Sequence, residues 1–177
     1  MAEPLQPLDR AIQTGDGWIA DIITNVQDLC KQFFLNNERM KKYSPRYYSA
    51  SHPKSCYITE MPALHVYISK VAFNSPSAGT NSGEKLTTHI TYFVNIQYLY
   101  HDPDSEDMAY DLYEIMSHLT DEIRHHHNLN GLVNTGKIYD VVFEDDFFAT
   151  RDTVSLVRTG IIHAVFGRSI KDRLATR

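Results

Sequence analysis

Cysteine is scarce: the 177 residues contain two, Cys30 and Cys56, in no CxxC spacing. That excludes a disulfide framework and a cysteine zinc site, and it suits two reduced thiols in a cytoplasm. Long apolar runs are missing as well. No window approaches the roughly 18 consecutive apolar residues of a membrane helix, and the opening MAEPLQPLDR has neither a basic n-region nor an apolar h-region. Neither a membrane-spanning chain nor export by an ordinary signal is expected. The 8 glycines fall singly, with no GxGxxG and no GxxxxGK[ST], so no phosphate-cradling turn opens a helix. A GxSxG elbow is also missing, and with it the local signature of a serine nucleophile. What remains, 42% hydrophobic and 22% charged residues, is the material of one compact soluble domain spanning 1–177.

The net charge of -5 conceals a segregation. Residues 1–30 balance at -4, 31–85 at +5, 100–152 at -10 and 153–177 at +4, while 86–99 carry no charge. A nucleic-acid reader concentrates Lys and Arg at high pI, whereas here the pI is near 5.9 and the acidic block is the stronger one. Tight DNA binding is not expected. The acids serve either as a solvated face or as a face that must not hold nucleic acid.

After a leader, 1–17, the residues Ile19, Ile22, Ile23, Val26, Leu29, Cys30 and Phe33 recur at spacings of three and four, predicting an amphipathic helix. Asp16 is its expected N-cap, and Asn36-Asn37 its stop, since Asn tolerates the left-handed conformation of helix ends. From 36 to 63 the chain is basic, Tyr-rich and aperiodic, including Lys41, Lys42, Tyr43, Arg46, Tyr47 and Tyr48, and reads as a peripheral insertion. Its basic and aromatic residues suit a nucleic-acid or protein contact, or a packed surface loop. Leu64, Val66 and Ile68 then alternate as in a half-buried strand, with a slip near Lys70 that a bulge explains. The stretch 74–85 has linker composition and reads as a flexible hairpin tip. The clearest strand follows, with Ile90, Tyr92, Val94, Ile96, Tyr98 and Tyr100 on one face.

Asp104 or Ser105 is the expected cap of a second helix, striped by Met108, Leu112, Ile115, Met116, Leu119 and Ile123. Asn128 to Val133 reads as a docked turn, Tyr139 to Phe147 as a third strand, and Val154 to Phe166 as a fourth, with Gly160 marking a bulge or close approach. The expected fold is therefore α+β: a two-layer domain with a four-stranded antiparallel or mixed sheet, two main helices on one face and a long β-hairpin. His118 and His125-His126-His127, with Glu144 to Asp146, suggest metal ligands and a small metal-dependent hydrolase. Consecutive helical residues point about 100° apart, however, and neither HExxH nor a Cys/His pairing occurs, so no metal site, cofactor or catalysis is expected.

The last two thirds of the chain, roughly 64–168, resemble the tail terminator, or tail-completion, proteins of long-tailed bacteriophages. The carriers are Asp107 to Met116 (DMAYDLYEIM), Asn128 to Val133 (NLNGLV), Tyr139 to Asp146 (YDVVFEDD) and the closing strand Val157 to Phe166. The 36–63 insertion and the leader are longer than that family's compact form. The resemblance implies a virion structural protein, assembled in the host cytoplasm, that caps the tail tube as a homohexameric ring, ends tube polymerisation and presents a head-tail joining surface. Its partners would be itself, the tail tube protein and a head-side connector or stopper protein, with DNA passing through unbound and no membrane involved. Another neck protein, a stopper or tube-like subunit, is the alternative. Given such a ring, Asp140, Glu144, Asp145 and Asp146 are the expected channel lining, because like charge repels phosphate. Asn74, Ser75, Pro76, Ser77, Thr80, Asn81, Ser82, Glu84 and Lys85 are the expected loop contact with the tube or a neighbour. Lys41, Lys42, Arg46, Arg168, Lys171 and Arg173 are the expected basic side of a heterologous subunit interface.

Overall fold

A computed structural model of the chain describes residues 17–53, 58–74, 87–149 and 154–171. The elements run α1 (Gly17–Asn36), a 3-10 turn (Lys41–Tyr43), β1 (Tyr47–Ser49), a second 3-10 turn (Ile58–Glu60), β2 (Ala63–Asn74) and β3 (Thr87–Tyr100). Then come α2 (Met108–His125), a third 3-10 turn (Leu129–Gly131), β4 (Thr135–Ala149) and β5 (Val154–Lys171). The fold is α+β, with one mixed sheet in the order β1-β2-β3-β5-β4. It has five strands where the sequence pattern predicts four. The extra one is β1, three residues paired parallel with Ala63, Leu64 and His65 of β2. All other neighbours are antiparallel.

Period-2 patterning decides the faces. Ile90, Tyr92, Val94, Ile96, Tyr98 and Tyr100 are all buried and join Leu64, Val66, Ile162, Ala164 and Phe166 under the helices. The helix α1 lies over β2, and α2 lies over β5 and β4. From α1, Ile22, Val26, Cys30, Phe33 and Phe34 enter this core; from α2, Leu112, Ile115, Met116, Leu119 and Ile123. Cys30 thus behaves as a small hydrophobe, and burial pushes its thiol up to about 12, which makes it inert at neutral pH. The bulge expected near Lys70 lies between Ile68 and Lys70, and a second lies on β4 between Ile138 and Asp140. Gly160 is a close approach, not a bulge: a Cβ there would come within 2.6 Å of Met116 Cγ.

Three local expectations are corrected. The segment 36–63 is not peripheral, since Met40 and Tyr43 are buried in the main core. Met61 joins Ala63, Leu99 and Val157 in a second cluster, which also takes partly buried Ile58. Its anchors sit on turns, so no period announces them. Helix α2 is capped by Asp107, whose carboxylate accepts from Tyr110 N at 3.0 Å. Ser105 Oγ donates to Asp111 instead of capping, and Asp104 lies in the turn before the helix, where its amide donates to the Asp102 carboxylate. Helix α1 stops without a left-handed Asn. Instead Asn37 Oδ1 accepts from the amides of Arg39 and Met40, a turn that competes with helix. Left-handed backbone appears at Leu129, Asn130 and Gly131, in the predicted docked turn, where Leu129 and Val133 are buried. Asp16 and the leader lie outside the described residues, apart from Gly17.

Candidate functional site

The strand order converts the charge segregation of the sequence into geometry. β4, from the acidic block, is one edge of the sheet, while β2 and its short companion β1, from the basic block, form the other. On β4, alternation sends Asp140, Glu144 and Asp146 to the face without helices, because they pair across to His163, Thr159 and Val157 of β5. Asp145 points to the helix side and does not share a wall with them. There Arg158 Nη1 donates to both its oxygens, at 2.9 and 3.1 Å, so its charge is already matched. Asp140 contacts Nδ1 of His163. The four acids therefore do not share one face: Asp140, Glu144 and Asp146 lie together and Asp145 lies opposite.

The expected basic set separates too. Arg46 is exposed just before β1, whereas Lys41 and Lys42 are exposed on the 3-10 turn whose Tyr43 hydroxyl meets Asp111 of α2, with Lys42 Nζ 4.3 Å from the Tyr43 ring centroid. Arg168 is only 4% exposed, on the helix face opposite Ile90, so it is not a surface cation. Lys171 ends β5, but its side chain and Arg173 lie outside the described residues, as do Ser75 to Lys85 of the expected contact loop. Asn74 is exposed at the end of β2. Sequence reasoning missed Lys70, which is exposed and sits over the Phe93 ring at 5.4 Å. It is the only charged residue of β2, a signal visible in the sequence.

A polar cluster fixes the basic segment to α2. Asp111 accepts from Tyr43 Oη at 2.6 Å, Ser105 Oγ at 2.8 Å and Tyr100 Oη at 3.1 Å. Tyr98 Oη donates to the Tyr43 carbonyl at 2.6 Å. Partial burial alone would raise the Asp111 carboxyl, but the three hydroxyls outweigh it and hold its pKa below the ordinary value. A depressed folded-state pKa stabilises above the unfolded value, and that contribution is lost as pH falls through the folded one. Asp111→Asn is therefore expected to cost about 1–2 kcal/mol at pH 7. The gap from wild type should narrow below about pH 4, as read by urea midpoints at both pH values.

Chemistry of other kinds finds little geometry. Among the described residues no group of three or more His, Cys, Asp and Glu is placed to hold a metal ion. His125 contacts the Asp121 carbonyl, and His126 the Glu122 carboxylate, each one helical turn back. A shallow depression of about 340 Å³ on the helix-free face is lined by Ser69, Phe93, Asn95, Tyr139, Asp140 and His163, among others. Ser69 and the His163–Asp140 pair do not form a triad. β3 separates β2 from β5, a gap of about 10 Å, and Ser69 Oγ donates to the Phe93 carbonyl. No helix among the described residues is long and apolar enough to cross a membrane. No protein-family model matches the chain, and no curated protein matches it significantly.

Proposed function

We propose that this chain is a virion structural protein of a long-tailed bacteriophage that caps the tail tube as a ring, ends tube polymerisation and forms the head-tail joining surface. The observation that carries the reading is the open sheet, whose β4 edge carries Asp140, Glu144 and Asp146 and whose β2 edge carries Lys70 as its only charge. Such a subunit satisfies its neighbours head to tail, and head-to-tail contacts close into rings when the rotation fits. The resemblance over 64–168 supplies the rest: a hexamer, a tail tube protein below and a head-side connector or stopper above. Neither catalysis nor a cofactor is needed. With helices outward, Asp140, Glu144 and Asp146 face the channel and repel the phosphates of passing DNA.

The test is a tube-extension assay with tail tubes assembled without this protein. Added chain is expected to hold the tubes at their starting length, while untreated tubes elongate on further tube protein. Tubes that elongate equally in both reactions contradict the terminator role. Elongation equal in both, with the chain bound instead to the head connector, moves it to the stopper position.

A further inference from the structure

We infer that neighbouring copies join by β-strand pairing: the outer edge of β4 in one copy lies antiparallel against the outer edge of β2, from Tyr67 to Asn74, in the next. This deepens the ring reading and rests on it. Among the described residues no strand pairs with the outer side of β4, and β1 pairs with β2 at Ala63 to His65, beyond which Val66 is still covered and Ser69, Lys70, Phe73 and Asn74 are exposed. Unpaired N–H and C=O rows of this length are templates for another strand. β2 and β5 run one way, β3 and β4 the other. Copies turned about an axis along the strands, each keeping its helices outward, therefore present β4 to β2 in antiparallel sense.

The side chains select the register. Lys70, Phe93, Val165 and Lys137 form one row across the sheet. Copies at equal height would set Lys70 of one against Lys137 of the next, two like charges. Closing a sheet needs a stagger, and a two-residue step keeps every side chain on its own face. One such step places Lys70 opposite Asp140. On the helix side the same step places Val71 opposite Ile138 and Ile68 opposite Val141. Apolar then meets apolar on one face, and opposite charges meet on the other. Two β4 edges brought together would instead oppose acid to acid, which disfavours a symmetric dimer.

The experiment uses the full chain as wild type, as Lys70→Glu and as Asp140→Lys, with circular dichroism confirming each fold and light scattering reading assembly. Each variant alone opposes like charges at every interface and is expected to need at least about tenfold more protein to assemble. An equimolar mixture is expected to recover wild-type assembly, because alternating copies restore one acid against one base at each contact. A misfolded variant does not recover on mixing, so the mixture keeps the test decisive. Both variants assembling like wild type, or a mixture as impaired as its parts, overturns the edge pairing and leaves the ring reading standing. A wild-type chain that stays monomeric even with tail tubes overturns the ring reading and the pairing together.

Discussion

Gly136→Ala is expected to lower stability by about 3 kcal/mol, read as a fall in the urea midpoint with little change in slope. Gly136 lies near the start of β4, under the turn that follows α2. A Cβ built there overlaps the backbone carbonyl of His127 and comes within 2.9 Å of Phe166 Cδ1. A carbonyl in the main chain cannot swing aside as a side chain does, so either the turn or the strand must shift. The comparison that isolates this cause is Gly160→Ala, whose Cβ would find its three nearest neighbours all in the Met116 side chain. Methionine has three rotatable bonds and gives way, and that variant is expected to cost about 1 kcal/mol. Equal losses at the two positions would show that the His127 carbonyl is not the rigid element.

The second large effect is expected at Phe34→Ala, at about 3–5 kcal/mol. Phe34 is fully buried, stacks near parallel on Tyr98 with centroids 5.8 Å apart, and meets the edge of Phe33 at 4.9 Å. Side-chain hydrogen bonds of α1 such as Lys31 to Asp28 and Asn25 to Asp21 stay within the helix. Apolar contact is what seats α1 on the sheet, so a cavity there loosens the helix as well as the core. Leu35→Ala, next along the helix but 59% exposed, is expected to change stability by less than about 0.5 kcal/mol. A small loss at Phe34 with a large one at Leu35 would reverse the assignment of buried and solvent faces.

These two residues also mark what could be read in the sequence. The 3.6-residue stripe of α1 and the period-2 run of β3 are long, and long periodic signals average over single exceptions such as the exposed Ile19. The slip at Lys70 was legible because it interrupts an alternation already established. β1 was not legible, for three residues carry no period and its pairing is with distant Ala63 to His65. Met40, Tyr43 and Met61 escaped for the same reason, each a single anchor on a turn. The expected cap of α2 falls two or three residues short because Asp104, Ser105 and Asp107 are all good capping residues and the stripe that begins at Met108 does not choose among them.

The candidate site was half visible. Charge segregation stands in the sequence, but its meaning depends on β5 lying between β3 and β4, which puts the acidic strand at an edge. The four acids Asp140, Glu144, Asp145 and Asp146 look like one block in one dimension. Alternation and Arg158 divide them into a helix-free trio and a neutralised Asp145. Arg168 looks like part of a basic tail and is instead buried opposite Ile90, since β5 runs on to Lys171. Lys70 gains its interest only from the sheet register that aligns it with β4.

The central claim is that copies of this chain close side by side into a ring that sits on a tube end. Light-scattering mass, with negative-stain imaging of the purified chain before and after incubation with tail tubes lacking it, tests that claim most directly. A closed ring of about six copies, seen alone or as a cap on one end of each tube, is the predicted result. A mass of one copy in both conditions, with bare tube ends, would contradict it.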